Sequence, residues 1–409
     1  MRRSDRPVKP TICRTFLLLL LLLTASVLGA SGPAVLAAEA ASRTAGPADT
    51  LVQEQAERLP TDEVEQYWDR LMKEYGGYLP ESKTPSFAEL LLGNGSLSLG
   101  ALLKGLLKYL FHEIIVNSKL LGTIVVLTVF SMILETLQSA FEKQAVSKVA
   151  FAISYLVLIV IAVNSFSIGI GYAKEAITEM IQFMVAVVPL LLTLLASMGN
   201  VTTVAVLHPL IIFMIYTLGT AIYTVVFPLL FFSVILHIVS SISERYKVTQ
   251  LANLMRSGAI GLLGLFVTVF LGVVSVQGMS GGIRDGVTLR TAKFIAGNFV
   301  PVVGRMFSDA SDTVIGASLL VKNAVGLAGV VIIIILCAFP AIKILTLSLI
   351  YNGCAAVLQP LGNSPIIGCL QTIGKSMIYV FAALAAVGLM FFLAITIMIA
   401  AGNVSVMMR

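Results

Sequence analysis

From residue 120 onward the chain is a succession of long apolar runs separated by short polar breaks. About 20 mostly apolar residues in a helix cross the hydrocarbon core of a bilayer. Runs near that length cover 120–137, 150–171, 180–198, 257–277, 324–348 and 376–401. The stretch 203–242 is longer. Forty helical residues extend roughly 60 Å, about twice the hydrocarbon thickness. Length therefore splits it near Gly219-Thr220 into 203–219 and 222–242, for about eight transmembrane helices.

Before residue 120 the pattern changes. TDEVEQYWDRLMKEY (61–75) predicts a helix with Thr61 as N-cap and acids in its first turn, and GGYLPESKTP (76–85) breaks it. Residues 98–118 place Leu102, Leu103, Leu106, Leu107, Leu110, Phe111, Ile114 and Ile115 on one side, with Lys104, Lys108 and Glu113 on the other. Two readings fit: a helix lying in the outer membrane interface, or one whose apolar face builds the core of a small soluble domain. At the very start, Arg2, Arg3, Arg6, Lys9 and Arg14 precede an apolar run (16–30) and the small-residue stretch VLAAEAA (35–41). That is the layout of an export signal, and cleavage after Ala37 or after Ala40 fits equally. The expected architecture is an all-α polytopic membrane protein with a signal peptide (1–40), an extracytoplasmic linker with amphipathic helices (41–118) and a membrane domain (119–409).

Composition agrees. Of 409 residues, 58% are hydrophobic and 12% charged, about half the charge of a soluble domain, so the bilayer is the expected partner of much of the surface. The net charge of +6 is spread thinly, with no basic run beyond residue 14, which argues against nucleic acid. Cys13 precedes the apolar stretch of the signal, and Cys337, Cys354 and Cys369 read as buried thiols.

With the chain starting outside, the loops 139–149, 243–256 and 349–375 fall in the cytoplasm. They carry Lys143, Lys148, Arg245, Lys247, Arg256 and Lys375, as the positive-inside tendency favours. The segment 278–323 falls outside despite Arg284, Arg290, Lys293, Arg305 and Lys322. An internal parallel repeat supports the same arrangement. FSMILETLQS (130–139) resembles FSVILHIVSS (232–241), each followed by a basic residue and a long span, and 185–200 parallels 297–312 with Pro189 aligned on Pro301. Repeats of this kind occur in transporter folds.

The segment 278–323 is the most polar part of the membrane half. Arg284, Asp285, Arg290, Lys293, Pro301, Arg305, Asp309 and Asp312 lie in it, and Gly278, Gly281, Gly282 and Gly286 permit sharp turns. Such a segment cannot face lipid cheaply. It is a solvated loop, or else a pore-lining or partner-docking element, outside the membrane or re-entrant. His208 at a span start and His237 within a span are the intramembrane polar candidates.

No catalytic constellation, cofactor box or metal set emerges. The three histidines lack metal-ligand spacing. Gly374-Lys375-Ser376 has the ending of a phosphate-binding loop, but Cys369 stands where that loop requires glycine. Glu135 is the one acid well inside a predicted span.

Several stretches resemble the stage III sporulation protein AE family of endospore-forming bacteria: 65–82, 110–122, 141–151, 243–256, LQPLG (358–362) and above all SVQGMSGGIRDGVTLRTAKFIAGNFVPVVGRMFSDASDTV (275–314). The resemblance runs from about residue 60 to the end. It implies a non-enzymatic membrane component of a channel complex between mother cell and forespore, needed for endospore development, forming or supporting the conduit. It also implies other stage III sporulation proteins as partners, one of them an ATPase, together with a forespore-made membrane protein. The location implied is the mother-cell-derived outer forespore membrane. Two rival readings are an independent small-solute transporter, favoured by the repeat, and a scaffold that anchors partners through 41–118.

Overall fold

The computed structural model describes residues 61–78, 99–140, 145–242, 247–299, 303–361 and 365–407. The expected signal peptide (1–40), the linker up to residue 60 and Pro301 lie outside the described residues. Within them the chain is helical: α1 (Asp62–Tyr75), α2 (Leu99–Val116), α3 (Ser118–Ala140), α4 (Ala145–Ser197), α5 (Val201–Ala221), α6 (Phe227–Ile242), α7 (Thr249–Phe299), α8 (Val303–Leu358) and α9 (Pro365–Met407).

Five helical runs among the described residues are long and apolar enough to cross a membrane, or six if the bent pair α2–α3 counts as one crossing. The pattern of apolar runs predicts eight. The difference has two sources. First, 150–171 and 180–198 are halves of one continuous helix, α4. The polar stretch between them stays helical because its groups find partners in the bundle. The Lys174 ammonium sits 4.7 Å from the Tyr223 ring centroid, and Lys343 of α8 sits 5.3 Å from that of Tyr172. Second, α5 and α6 are joined without a break through a π-helical turn, Ile222–Val226. A π turn inserts a residue without reversing the axis. Gly219, the expected break, instead lets Ile181 of α4 approach, where a Cβ would clash.

The true reversal lies at 198–200. Gly199 has φ +82°, its N–H donates to Ala196 O (2.8 Å), and the Asn200 N–H donates to Leu195 O (3.2 Å). This is a Schellman C-cap, which a left-handed glycine permits without strain. Pro189, Pro209 and Pro340 all lie inside helices.

The region 278–323 is also helical rather than a turn-rich loop: 278–299 completes α7 and 303–323 opens α8. Its glycines serve packing instead of turning. A Cβ on Gly282 would stand 2.7 Å from Ala401 O, and one on Gly278 would stand 3.0 Å from Ile397. The loops expected at 243–256 and 349–375 likewise shrink, because α7 starts at Thr249, α8 runs to Leu358 and α9 starts at Pro365.

The core is the α8–α9 pair, flanked by α4 and α7. Gly388 lies against Cys337 and Gly326 against Ile399, so small residues bring the axes close. Cys354 and Cys369 are buried free thiols and Cys337 is half-buried. Helix α2 buries Tyr109 and turns Leu103, Leu107, Phe111 and Ile115 outward. An outward apolar stripe suits the interfacial placement better than the core of a soluble domain.

Candidate functional site: a buried polar cluster at one end of the bundle

The α4–α5 turn, the second half of α7, the first half of α8 and the end of α9 converge at one end of the bundle. Asp285 is the clearest element there. It is buried, and its carboxylate accepts from the Thr203 N–H (2.9 Å) and the Thr203 hydroxyl (2.6 Å). Thr203 is the third residue of α5, whose first N–H groups have no partner within the helix. A carboxylate from another helix supplies the missing acceptor, and its charge suits the positive end of the helix dipole. Gly281 makes room for this contact, since a Cβ there would lie 2.5 Å from the Thr203 hydroxyl.

A second polar group lies at the same end of the bundle. Lys322 of α8 is 1% exposed. Its ammonium donates to Ile399 O (2.8 Å) and to Asn403 Oδ1 (3.3 Å) on α9, in a notch left by Gly402. Asn200 and Ser405 are fully buried, and neither the Asn200 amide nor the Ser405 hydroxyl has a partner among the described residues.

The remaining predicted residues scatter. Arg284 and Arg290 are exposed on α7, pointing away from Asp285, and Asp312 is exposed on α8. The side chains of Lys293, Arg305 and Asp309 lie outside the described residues, as does Pro301. Contacts of Gly278 and Gly282 with Ile397 and Ala401 set α7 parallel to α9. From that register α7 continues roughly three turns, ~16 Å, past the last described residue of α9.

His208 is exposed on α5, away from the cluster. His237 belongs to a seam near the other end. Its Nδ1 lies 2.8 Å from Ser233 O, its Nε2 lies 3.2 Å from the Asn253 amide of α7, and the Arg256 guanidinium stands over the Tyr379 ring at 5.0 Å. His237 is therefore a hydrogen-bonded helix contact.

Helix α1 docks on the middle of the bundle. It buries Val64, Trp68, Leu71 and Tyr75. Tyr75 stacks on Phe339 of α8 at 4.1 Å, and Tyr67 meets Phe183 of α4 edge-on at 5.5 Å. Burial pushes both phenols above their ordinary range. Sequence reasoning found this helix and its polarity, but not what it covers. It also passed over Asn200, Thr203 and Asn403, and counted Lys322 only as one charge of a polar segment. A lone lysine within an apolar helix was the available signal.

The family model for stage III sporulation protein AE matches residues 82–402. A relative from Bacillus subtilis (strain 168), named stage III sporulation protein AE, is 54% identical over 392 residues, spanning 95% of this chain and 98% of its own. The chain belongs to the stage III sporulation protein AE family. No solved structure matches. The family match takes in α2 to α8 and α9 as far as Gly402, and so nearly all of the polar cluster, with Asn403 and Ser405 just beyond its end. The relative's coverage is too broad to leave out α1 and the polar cluster together. Among the described residues no three His, Cys, Asp or Glu side chains gather as a metal site would need.

Proposed function

We propose that this chain forms or braces the conduit of the mother cell–forespore channel complex through the α7–α8 hairpin at the extracytoplasmic end of its bundle. Its family membership makes it a multi-pass membrane component of that apparatus, non-enzymatic and working within a multi-protein sporulation complex. The observation that carries the finer reading is the second half of α7, where Arg284 is exposed just before the projecting end and Arg290 is exposed on it. Charged side chains there favour water or a protein partner over lipid.

The topology of this reading has six crossings: the α2–α3 pair, α4, the α5–α6 run, α7, α8 and α9. Merging two pairs of predicted spans changes the count from eight, carries 172–179 and 219–222 into spans and moves the 198–200 turn to the extracytoplasmic side. Lys148, Lys247, Arg256 and Lys375 keep to the cytoplasmic end, as the positive-inside tendency favours. The internal repeat fits as well. FSMILETLQS closes α3 and FSVILHIVSS closes most of α6, each just before a helix with a basic residue, Lys148 or Arg256, in its first turns. On this reading residues 1–40 are the signal peptide and 41–118 the extracytoplasmic lead. The chain sits in the mother-cell-derived outer forespore membrane, with an ATPase of the complex on one side and a forespore-made membrane protein on the other.

Charge reversal tests it. R284E with R290E, or reversal at Arg305 or Asp309, is expected to block forespore development while the protein stays in the membrane at normal levels. Normal spores from such strains would refute the role of the hairpin. Topology is read separately, with single cysteines at Thr291 and Lys247 in a background free of native thiols. An impermeant reagent from the extracytoplasmic side should label the first and spare the second; the reverse would overturn the placement.

A further inference from the structure

Contacts across the bundle define one layer. Gly388 of α9 lies against Cys337 of α8 and Met180 of α4, and Gly219 of α5 lies against Ile181 of α4. Phe391 of α9 meets Phe270 of α7 edge-on at 6.3 Å. Three apolar runs of bilayer length have their middles here: Val267 in 257–277, Leu336 in 324–348 and Gly388 in 376–401. The layer therefore lies near mid-depth of the bilayer. On the α5 and α7 flank it turns Tyr216 and Val269 outward, both exposed, as lipid contact requires.

Helix α1 reaches the same depth on the α4–α8 flank, through Tyr75 on Phe339 and Tyr67 on Phe183. Its outer surface has the opposite character. The exposed positions of α1 are Gln66 and all seven of its charged residues, five of them acids. Further charges gather on this flank. Glu179 of α4 interacts electrostatically with Glu74 and Arg70 of α1 and with Lys343 of α8. Glu175, one turn earlier on α4, is exposed. Lys343 is the one charge in the run 324–348. At this depth a charge facing hydrocarbon is costly, and polar groups turn instead to protein or to a water-filled cavity.

Building on the conduit role proposed above, we propose that the outer face of α1 lines a water-filled passage that reaches bilayer mid-depth from the extracytoplasmic end. Composition favours water over a protein partner there. The cores of protein interfaces are poor in Asp, Glu and Lys, and the clustered acids of α1 repel one another least when hydrated. This bundle supplies one wall, and other subunits of the complex supply the facing walls, because a flank open to lipid would not hold water.

Labelling and depth together test it. Single cysteines replace Glu65, Asp69, Tyr216 and Val269 in turn, all exposed positions, in a background free of native thiols. Membranes from sporulating cells are treated with a charged, water-soluble thiol reagent. The reactive thiolate forms in water, so E65C and D69C are expected to label roughly tenfold or more faster than Y216C and V269C. Depth is read on the full chain, purified and reconstituted in bilayers brominated at mid-chain. The added indole of V269W should be strongly quenched, while the native Trp68, buried under α1, stays bright. Labelling of E65C and D69C as slow as that of V269C would overturn the proposal, since protein would then cover α1. Rapid labelling at all four positions, or an unquenched V269W, would also overturn it: the layer would then lie in bulk water, where a charged helix needs no passage. Neither failure touches the α7–α8 hairpin, whose charge reversals are read by spore formation.

Discussion

The α8–α9 pair and α7 are written in nearly the same apolar alphabet, yet they occupy opposite positions in the bundle. Of the most apolar window of α8, 61% is buried in protein, and of α9, 56%; for α7 the figure is 22%. Glycine marks the difference. On the central pair, Gly326, Gly388 and Gly402 each face a side chain so close that a Cβ could not be added without displacing it. In the first half of α7, Gly258, Gly261, Gly264 and Gly272 face open space. In a bilayer, apolar composition does not choose between protein and lipid, because both are equally apolar. Close fit and interhelical hydrogen bonds choose.

Substitutions can break that comparison, beginning with the seal over the centre. Helix α1 covers the α4–α8 face with Trp68, which is 1% exposed, and among the described residues no comparable element covers α7. W68A should cost about 3–5 kcal/mol of unfolding free energy in detergent and release α1, seen as protease sensitivity in the 61–78 segment. Next comes G282A. Its methyl meets a backbone carbonyl that cannot rotate away, so a loss of about 1–3 kcal/mol is expected in denaturant unfolding. D285A, which strips the Thr203 N–H of its acceptor, should cost about 1–3 kcal/mol. D285N, which keeps an acceptor but loses the charge, should recover part of it. On the open face of α7, G258A with G261A should leave stability unchanged or raise it by about 0.5–1 kcal/mol per site, through helix propensity alone. A loss there would mean that another protein surface covers α7.

The smallest effect is alkaline. Tyr67 and Tyr75 are held protonated in the docked state by burial, with nearby Glu74 reinforcing Tyr75. A raised folded-state pKa gives stability that is complete below the unfolded value, near 10, and is lost as pH climbs through the folded value. Docking of α1 should therefore be constant from pH 7 to 9 and weaken above about pH 10. Trp68 emission in a pH titration, with Y75F flattening the response, checks the sign.

These contacts also explain which features were legible. The helical class, the amphipathic α1 and the apolar stripe of α2 follow from local period and composition. The family resemblance in 275–314 extends over residues 82–402 in the family model and over 95% of the chain in the relative. The span count did not follow, for reasons visible in two places. Lys174 and Glu175 read as a break in sequence, but in the bundle Lys174 rests over Tyr223 and α4 continues. Gly219 and the glycines at 278–282 read as turns, but each is a contact point with a neighbouring helix. Of the eight residues singled out in the polar segment, Asp285 proves to be a buried helix cap, whereas Arg284 and Arg290 face outward.

By itself the sequence determined that this is a membrane bundle of helices, because fewer charges than a soluble surface needs and runs of bilayer length are properties of the chain alone. Only the tertiary structure decided where helices end, which glycines turn and which pack, and that Lys322 lies in the notch of Gly402 against Ile399 and Asn403. Those outcomes depend on residues as far apart as 195 and 402 coming within contact distance. A lysine in an apolar helix costs or contributes according to what stands beside it, and nothing local to residue 322 records that neighbour.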